Sequence, residues 1–195
     1  MMNYPLDLSF KIATIGTRIR VTDAAGRQVA YARKKKFRLK EDIRVFEDED
    51  QTRLRFGLKA DRMWDFGAGY AVSAPDGHPV GVVRRQGMRS MWKSSYTLTD
   101  PGGREVGLIH EENPWVKVLD SVMESVPGGD MLGGLFFNPA YLVELRGGPV
   151  LRVKKERSVF ESKFQIEKLA EISADEEDLL LAGVILMVLL ERDRG

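Results

Sequence analysis

An uninterrupted apolar run near the end of the chain, from Leu179 to Leu190, constrains the fold more than any other feature. It holds no polar or charged side chain, and Asp178 and Glu191 flank it directly. As a helix its twelve residues would span about 18 Å, whereas bilayer hydrocarbon is about 30 Å thick. A longer helix would carry a flanking carboxylate into the hydrocarbon, which is costly. A helix that is apolar on every side must be surrounded by protein, so we expect a buried helix over residues 174–192.

Two local signals refine this expected helix. Ser173 followed by Glu176 has the spacing of a capping box, which predicts a helix start at this point. Gly183 is unfavourable in the middle of a helix. We therefore expect Gly183 to leave room for a bulky side chain of the surrounding structure.

The rest of the chain predicts that surrounding structure, because most of it alternates apolar and polar side chains with a period of two. In the segment TRIRV, for example, Arg18 and Arg20 alternate with Ile19 and Val21. Such alternation is typical of strands with one buried face. We predict about twelve strands, near residues 6–13, 17–23, 27–36, 43–48, 51–59, 69–74, 79–86, 93–100, 104–111, 141–146, 149–154 and 159–168. A closed sheet has one interior face and no edges, so the pattern predicts a mainly β, antiparallel closed barrel that encloses the C-terminal helix.

The turns between the strands recur along the chain. The segments VTDAAGRQVA and LTDPGGREVG share Asp, Gly and Arg at the same spacing. A third copy places Gly77 at the position of Gly26 and Gly103. Glycine accepts a positive φ and aspartate binds nearby backbone amides, so we interpret these residues as turn-forming rather than as ligand-binding.

A second helix is predicted near residues 114–126. Asn113 suits the N-cap, Pro114 suits the first helical position, and Pro127 with two following glycines would end the helix. Residues 113–140 would then form an insertion in a single domain that spans residues 1–195.

Composition excludes several classes of function. The chain holds 30 Lys and Arg residues against 29 Asp and Glu residues, so a global basic field for nucleic acid is absent and nucleic-acid binding is not expected. It contains no cysteine, which rules out disulfides and thiolate metal sites. The first residues lack the basic start and apolar centre of a signal peptide, and we expect a cytoplasmic protein.

Neither a catalytic nor a metal-binding motif stands out. His78 falls in a predicted turn, and His110 begins HEENP, which lacks the second histidine of a zinc-protease helix. The chain has no G-x-S-x-G motif, phosphate-binding loop or dinucleotide fingerprint. We therefore predict no catalytic residue, no metal site and no cofactor.

The hairpin and helix patterns together resemble those of a known superfamily. The hairpins DAAGRQVAYARKK, PDGHPVGVVRR and DPGGREVGLIH, followed by LLLAGVILMVLL, resemble the tubby C-terminal-like superfamily. That group includes tubby proteins, phospholipid scramblases and LURP-one-related proteins, and the likeness to the last two spans nearly the whole chain. The resemblance implies a barrel around a C-terminal helix. It also implies a non-enzymatic module that binds anionic phospholipid or phosphoinositide at a membrane surface.

The chain departs from that pattern in two places. Residues 113–140 look like an insertion, and the cysteine- and proline-rich N-terminal region of animal scramblases is missing. Scramblase activity is therefore not implied. Tubby proteins bind phosphoinositides through basic residues, but that motif cannot be aligned residue by residue with this sequence.

Basic residues near strand ends are the first candidate site. They are Lys34, Lys36, Arg38, Arg84, Arg85, Lys154 and Arg157. If their strands lie one or two apart in the barrel, these side chains could meet over a phosphate-rich head group. The alternative is a set of solvated strand ends that discourage edge pairing.

A glycine-rich apolar segment is the second candidate. Leu135, Phe136 and Phe137 lie in DMLGGLFFNP, and if exposed they would contact a membrane or a protein partner. The alternative is a flap packed over the barrel mouth or against the helix predicted at 114–126. This segment supports a second function, a protein-interaction or scaffolding domain that acts through residues 113–137.

Overall fold

The computed structural model describes residues 2–13, 16–34, 42–61, 69–86, 95–112, 140–156 and 162–192. These residues form twelve strands and one helix. The strands are β1 (Leu6–Ala13), β2 (Gly16–Thr22), β3 (Gln28–Lys34), β4 (Ile43–Phe46), β5 (Leu54–Asp61), β6 (Gly69–Ser73), β7 (Pro79–Arg85), β8 (Ser95–Thr99), β9 (Glu105–Glu111), β10 (Ala140–Leu145), β11 (Gly148–Glu156) and β12 (Ser162–Lys168). The helix is α1 (Ala174–Arg192).

All twelve predicted strands are confirmed, with small shifts at their ends. The largest shift with a visible cause is at the start of β5, which begins at Leu54 rather than near residue 51. The carboxylate of Asp48 accepts the backbone N–H groups of Thr52 and Arg53, at 3.0 Å each. Those residues therefore belong to the turn rather than to the strand.

The strands form a closed antiparallel barrel. Each strand pairs with the next along the chain, and β1 pairs with β12 to close the sheet, with Leu6 opposite Ile166 and Phe10 opposite Ser162. The apolar member of each alternating pair faces inward, as Ile19 and Val21 show by their complete burial. The predicted fold class is thereby confirmed for the described residues.

Helix α1 runs through the interior of this barrel. Every hydrophobic residue from Leu179 to Leu190 is at most 5 % exposed. The apolar run is thus buried by the inward faces of the strands, as its all-round apolarity predicts. Within the described residues, no helix has the length and apolarity needed to cross a membrane.

Two glycines allow the helix and the wall to approach closely. A Cβ atom on Gly183 would lie 2.9 Å from Cδ1 of Ile109 and 3.1 Å from Cδ2 of Leu98, which confirms that this glycine leaves room for barrel side chains. Gly81 in β7 has a φ of 154°. Its Cβ would lie 2.3 Å from the carbonyl oxygen of Thr99 and 3.0 Å from Cδ1 of Leu179.

The start of α1 is held by polar contacts. The carboxylate of Glu176 accepts the backbone N–H of Ser173 at 3.0 Å and its hydroxyl at 2.6 Å, and it also contacts Arg146. This is the glutamate half of the predicted capping box. The buried carboxylate of Glu177 accepts the backbone N–H of Met2 at 3.2 Å. The helix start is thereby tied to the first residues of the chain.

The helix predicted near 114–126 and most of the predicted insertion at 113–140 lie outside the described residues. Both stay predictions.

Candidate anion-binding rim

The short turns that the structure describes between strands lie at one end of the barrel. At the end that we call the hairpin end, short turns lead from even-numbered to odd-numbered strands. These turns comprise residues 23–27, 47–53, 74–78, 100–104 and 146–147. At the other end, which we call the loop end, the odd-numbered strands finish. Each internal break between the described ranges falls at the loop end.

The hairpin turns confirm the interpretation of their Asp and Gly residues. Gly26, Gly77 and Gly103 have φ values of 75°, 89° and 81°. Asp100 accepts the backbone N–H of Arg104 at 3.0 Å, and this hydrogen bond is the main cause that lowers the pKa of Asp100. These residues form the turns, and the aspartate makes its hydrogen bonds within the turn.

The predicted basic residues that the structure describes all lie at the loop end. Lys34 ends β3, Arg84 and Arg85 end β7, and Lys154 lies near the end of β11. The other predicted site residues, Lys36, Arg38, Arg157, Leu135, Phe136 and Phe137, lie outside the described residues, so their assigned roles stay predictions.

These basic positions do not meet at one point. Strands β3, β7 and β11 are each four strands apart in the closed order of the barrel. Twelve strands at about 4.8 Å spacing make a wall roughly 60 Å round, so points a third of the way round lie roughly 17 Å apart or more. The described positions therefore ring the loop end instead of forming one head-group pocket.

The position on β7 includes a buried cationic nitrogen. Arg85 is opposite Tyr96 in the register, and Tyr96 is completely buried. The Nη2 atom of Arg85 is buried and has no hydrogen-bond partner among the described residues. A buried donor without a partner is costly, so an anion at this point would relieve that cost. Arg84 lies against Gly69, because a Cβ atom on Gly69 would lie 3.6 Å from the Nε atom of Arg84.

The positive charge of Lys154 on β11 is already neutralised. The ammonium of Lys154 lies 2.6 Å from a carboxylate oxygen of Glu167. On the same wall Arg152 binds Glu112, with its Nε atom 3.1 Å from Oε2, and this hydrogen bond raises the pKa of Arg152. Lys154 and Arg152 are thus each matched by a carboxylate.

Three further arginines lie on the outer wall; the sequence interpretation counted Arg33 in the basic segment ARKKKFRLK but assigned none of the three to the candidate site. Arg18 of β2 lies directly opposite Arg33 of β3. Arg44 lies on β4, two residues before Phe46, which pairs with Tyr31 of β3. We call Arg18, Arg33 and Arg44 the arginine ladder. The available signal was an outward-facing arginine near the same end of three consecutive predicted strands.

The ladder carries unmatched charge. All three side chains are exposed. Among the described residues, none of the three makes an ion pair or a hydrogen bond through its side chain. Lys11 occupies the register position opposite Arg18 on β1, which extends the row of basic positions.

The hairpin end offers a groove instead of a charged surface. The groove is about 570 Å³ in volume and lies between three hairpins and the start of α1. Its carboxylates are engaged: Asp178 binds Arg55 at 2.7 Å, and Asp100 binds Arg104 at 2.9 Å. Across the described part of the chain, no three His, Asp or Glu side chains are arranged to hold a metal ion. The loop end is therefore the stronger candidate site.

No protein-family model matches the chain, and no curated protein and no solved structure matches it either.

Proposed function

We propose that the protein is a non-enzymatic binding module that attaches to anionic membrane surfaces through the loop end of its barrel. One observation carries the proposal: β3, β7 and β11 all bring basic residues to the loop end of the barrel, where Lys154 of β11 is paired with Glu167. The resemblance to LURP-one-related and scramblase-like proteins supports the same class of function. A cytoplasmic location at the periphery of a membrane fits this function.

A surface suits this geometry better than a small ligand does. The basic positions lie roughly 17 Å apart or more around the rim, beyond the reach of one head group. Barrels that bind small molecules keep a cavity inside. Here the hydrophobic residues of α1 from Leu179 to Leu190 fill the interior. A flat anionic surface could contact several basic positions at once.

Among the described residues, charged side chains rather than exposed hydrophobic ones would attach the protein to the membrane. Leu169 is the one large hydrophobic residue among them that is exposed, and it follows β12 at the hairpin end. Each lysine or arginine near an anionic membrane contributes about 1 kcal/mol. Salt screens this attraction over about 10 Å at 0.1 M ionic strength. Strong dependence on salt is therefore expected.

Co-sedimentation with vesicles tests the proposal. We expect the protein to pellet with phosphatidylcholine vesicles that contain phosphatidylserine or phosphoinositide, to remain in the supernatant with phosphatidylcholine alone, and to be released by added salt. Lack of association with every anionic vesicle at low salt would overturn the proposal.

A protein-interaction role through residues 113–137 has no support from the described residues and stays a prediction. An oligomer that dissociates on the double change Phe136→Asp and Phe137→Asp would favour it.

A further inference from the structure

We infer that the arginine ladder is the face by which the barrel lies on an anionic membrane, so that docking uses the β2–β4 side of the loop end. The inference rests on the proposed function and names the surface that performs it. None of the three ladder arginines was among the residues that the sequence assigned to the candidate site.

The ladder places like charges in direct opposition. Directly opposed residues of antiparallel strands have Cα atoms about 4.5–5.5 Å apart. Arg18 and Arg33 are such a pair. Like charges opposite one another destabilise a sheet. Without an external anion, the fold gains nothing from this arrangement.

The neighbouring carboxylates do not neutralise the ladder. Glu49 is already paired with Arg20 of β2. Asp42 is exposed two residues before Arg44, yet the two side chains make no ion pair. Tyr31, two residues before Arg33, pairs with Phe46, two residues after Arg44.

Unpaired charge is not a general property of this barrel's outer wall. On β9–β12 the guanidinium of Arg152 binds Glu112, the ammonium of Lys154 binds Glu167, and His110 lies 3.1 Å from Glu144. Lys154 and Glu167 lie on the neighbouring strands β11 and β12, and His110 and Glu144 lie on the neighbouring strands β9 and β10. Arg152, Lys154 and His110 thus have acidic partners, whereas Arg18, Arg33 and Arg44 have none among the described residues.

The chemistry of the ladder indicates a phosphate-bearing partner. A guanidinium presents a planar fork of donors that fits phosphate oxygens in a bidentate way. Three strands at about 4.8 Å spacing present these forks across roughly 10 Å of a convex wall. A flat lipid surface can meet such a wall along the whole row. Phosphatidylserine offers both a phosphate and a net negative charge at that surface.

Single-stranded nucleic acid fits this face less well. Proteins that bind single strands stack the bases on exposed aromatic side chains. Tyr31, the aromatic residue between the ladder strands, is only 3 % exposed. Within the described ranges, no aromatic side chain is among the exposed large hydrophobic residues. The ladder is therefore assigned to lipid, and nucleic acid becomes an outcome of the test.

The test compares two double variants of the full chain that remove the same residue type and the same charge. Arg18→Gln with Arg33→Gln removes the centre of the ladder. Arg27→Gln with Arg104→Gln removes two arginines of the hairpin end, whose side chains are 65 % and 85 % exposed. Circular dichroism and thermal melting establish that both variants are folded.

We expect the ladder variant to bind phosphatidylserine-containing vesicles roughly 25-fold more weakly than the wild type, at about fivefold per arginine. The hairpin-end variant should bind within about twofold of the wild type. A third variant, Arg18→Lys with Arg33→Lys, keeps the charge but loses the fork, and should bind with intermediate strength.

The inference and the proposed function can fail separately. If the wild type binds anionic vesicles and the ladder variant binds equally well, the inference is wrong and the proposed function stands. If the wild type binds no anionic vesicle, both are wrong. If the ladder variant loses binding to a fluorescent single-stranded oligonucleotide while vesicle binding is unchanged, the assignment to lipid is overturned.

Discussion

The hairpin end and the loop end of the barrel are built from the same twelve strands, yet they use charge differently. At the hairpin end Asp23 is buried and binds Arg27, and Arg55 bridges Asp178 and the carbonyl oxygen of Val29. At the loop end Arg18 and Arg33 face each other without a partner among the described residues. Charge at the hairpin end thus contributes to stability. At the loop end, Arg18 and Arg33 make no such contribution among the described residues.

The largest effect on stability should come from removing helix α1, which the barrel encloses. Deleting residues 179–195 removes the buried run of α1. About eight large side chains at ~2 kcal/mol each contribute a gross ~16 kcal/mol, which exceeds the net stability of a typical domain. We expect no folded protein, measured as loss of near-ultraviolet circular dichroism and of a cooperative melt. A truncated chain that still melts cooperatively would show that the barrel does not depend on its helix.

The next largest effect should come from the close packing at the hairpin end. Gly81→Ala would bring a Cβ within 2.3 Å of the carbonyl oxygen of Thr99, at a φ of 154°. Backbone cannot yield as a side chain can, so we expect a loss of about 3 kcal/mol in the free energy of unfolding by urea. Gly57→Ala is the matched control, because its Cβ would meet only Ser73 Oγ at 3.4 Å. Equal losses in the two variants would contradict this account.

Single arginines should distinguish the two ends. Arg55 is 15 % exposed in its side chain, so Arg55→Gln leaves Asp178 partly buried and unpaired. We expect a loss of about 2 kcal/mol in unfolding free energy.

Arg33→Gln relieves like-charge opposition and should be neutral or stabilising by a few tenths of a kcal/mol. Chemical denaturation of both variants in one buffer measures the difference, and a destabilising Arg33→Gln would mean that the ladder has an internal partner.

Acid should weaken the hairpin end selectively. The backbone N–H of Arg104 lowers the pKa of Asp100, and the backbone N–H of Thr52 likewise lowers that of Asp48. A carboxylate whose pKa is lower when folded stabilises the fold above its unfolded pKa of about 3.9. That contribution is lost as pH falls through the folded pKa. We therefore expect the urea concentration at the unfolding midpoint to decrease as the pH is lowered below about 4.

Two asparagine variants give the control for this acid effect. Asp100→Asn should flatten the dependence of stability on pH, since the group no longer titrates. Asp42→Asn, at the loop end, changes an exposed carboxylate that makes no hydrogen bond within the described part of the chain. It should follow the wild-type profile. Identical profiles for Asp100→Asn and the wild type would count against the turn as the source.

Local features of the fold were predictable because they depend on neighbouring residues. Alternation with period two identified every described strand, since a strand points successive side chains to opposite faces. The start of α1 followed from Ser173 and Glu176, and the close contact at Gly183 followed from the cost of glycine in a helix. The candidate site was predictable only in part. Arg84 and Arg85 were expected at a strand end, but the sequence did not predict that the Nη2 atom of Arg85 would be buried.

By itself, the sequence determined that the chain would enclose its own apolar helix in a wall of half-buried strands, because no other environment suits Leu179–Leu190. Only the tertiary structure decided which charges meet. Closure of the sheet spaces β3, β7 and β11 four strands apart, and the register brings Lys154 to Glu167 and Arg18 to Arg33. Cross-strand neighbours depend on strand order and register, and no local pattern of residues encodes those distances.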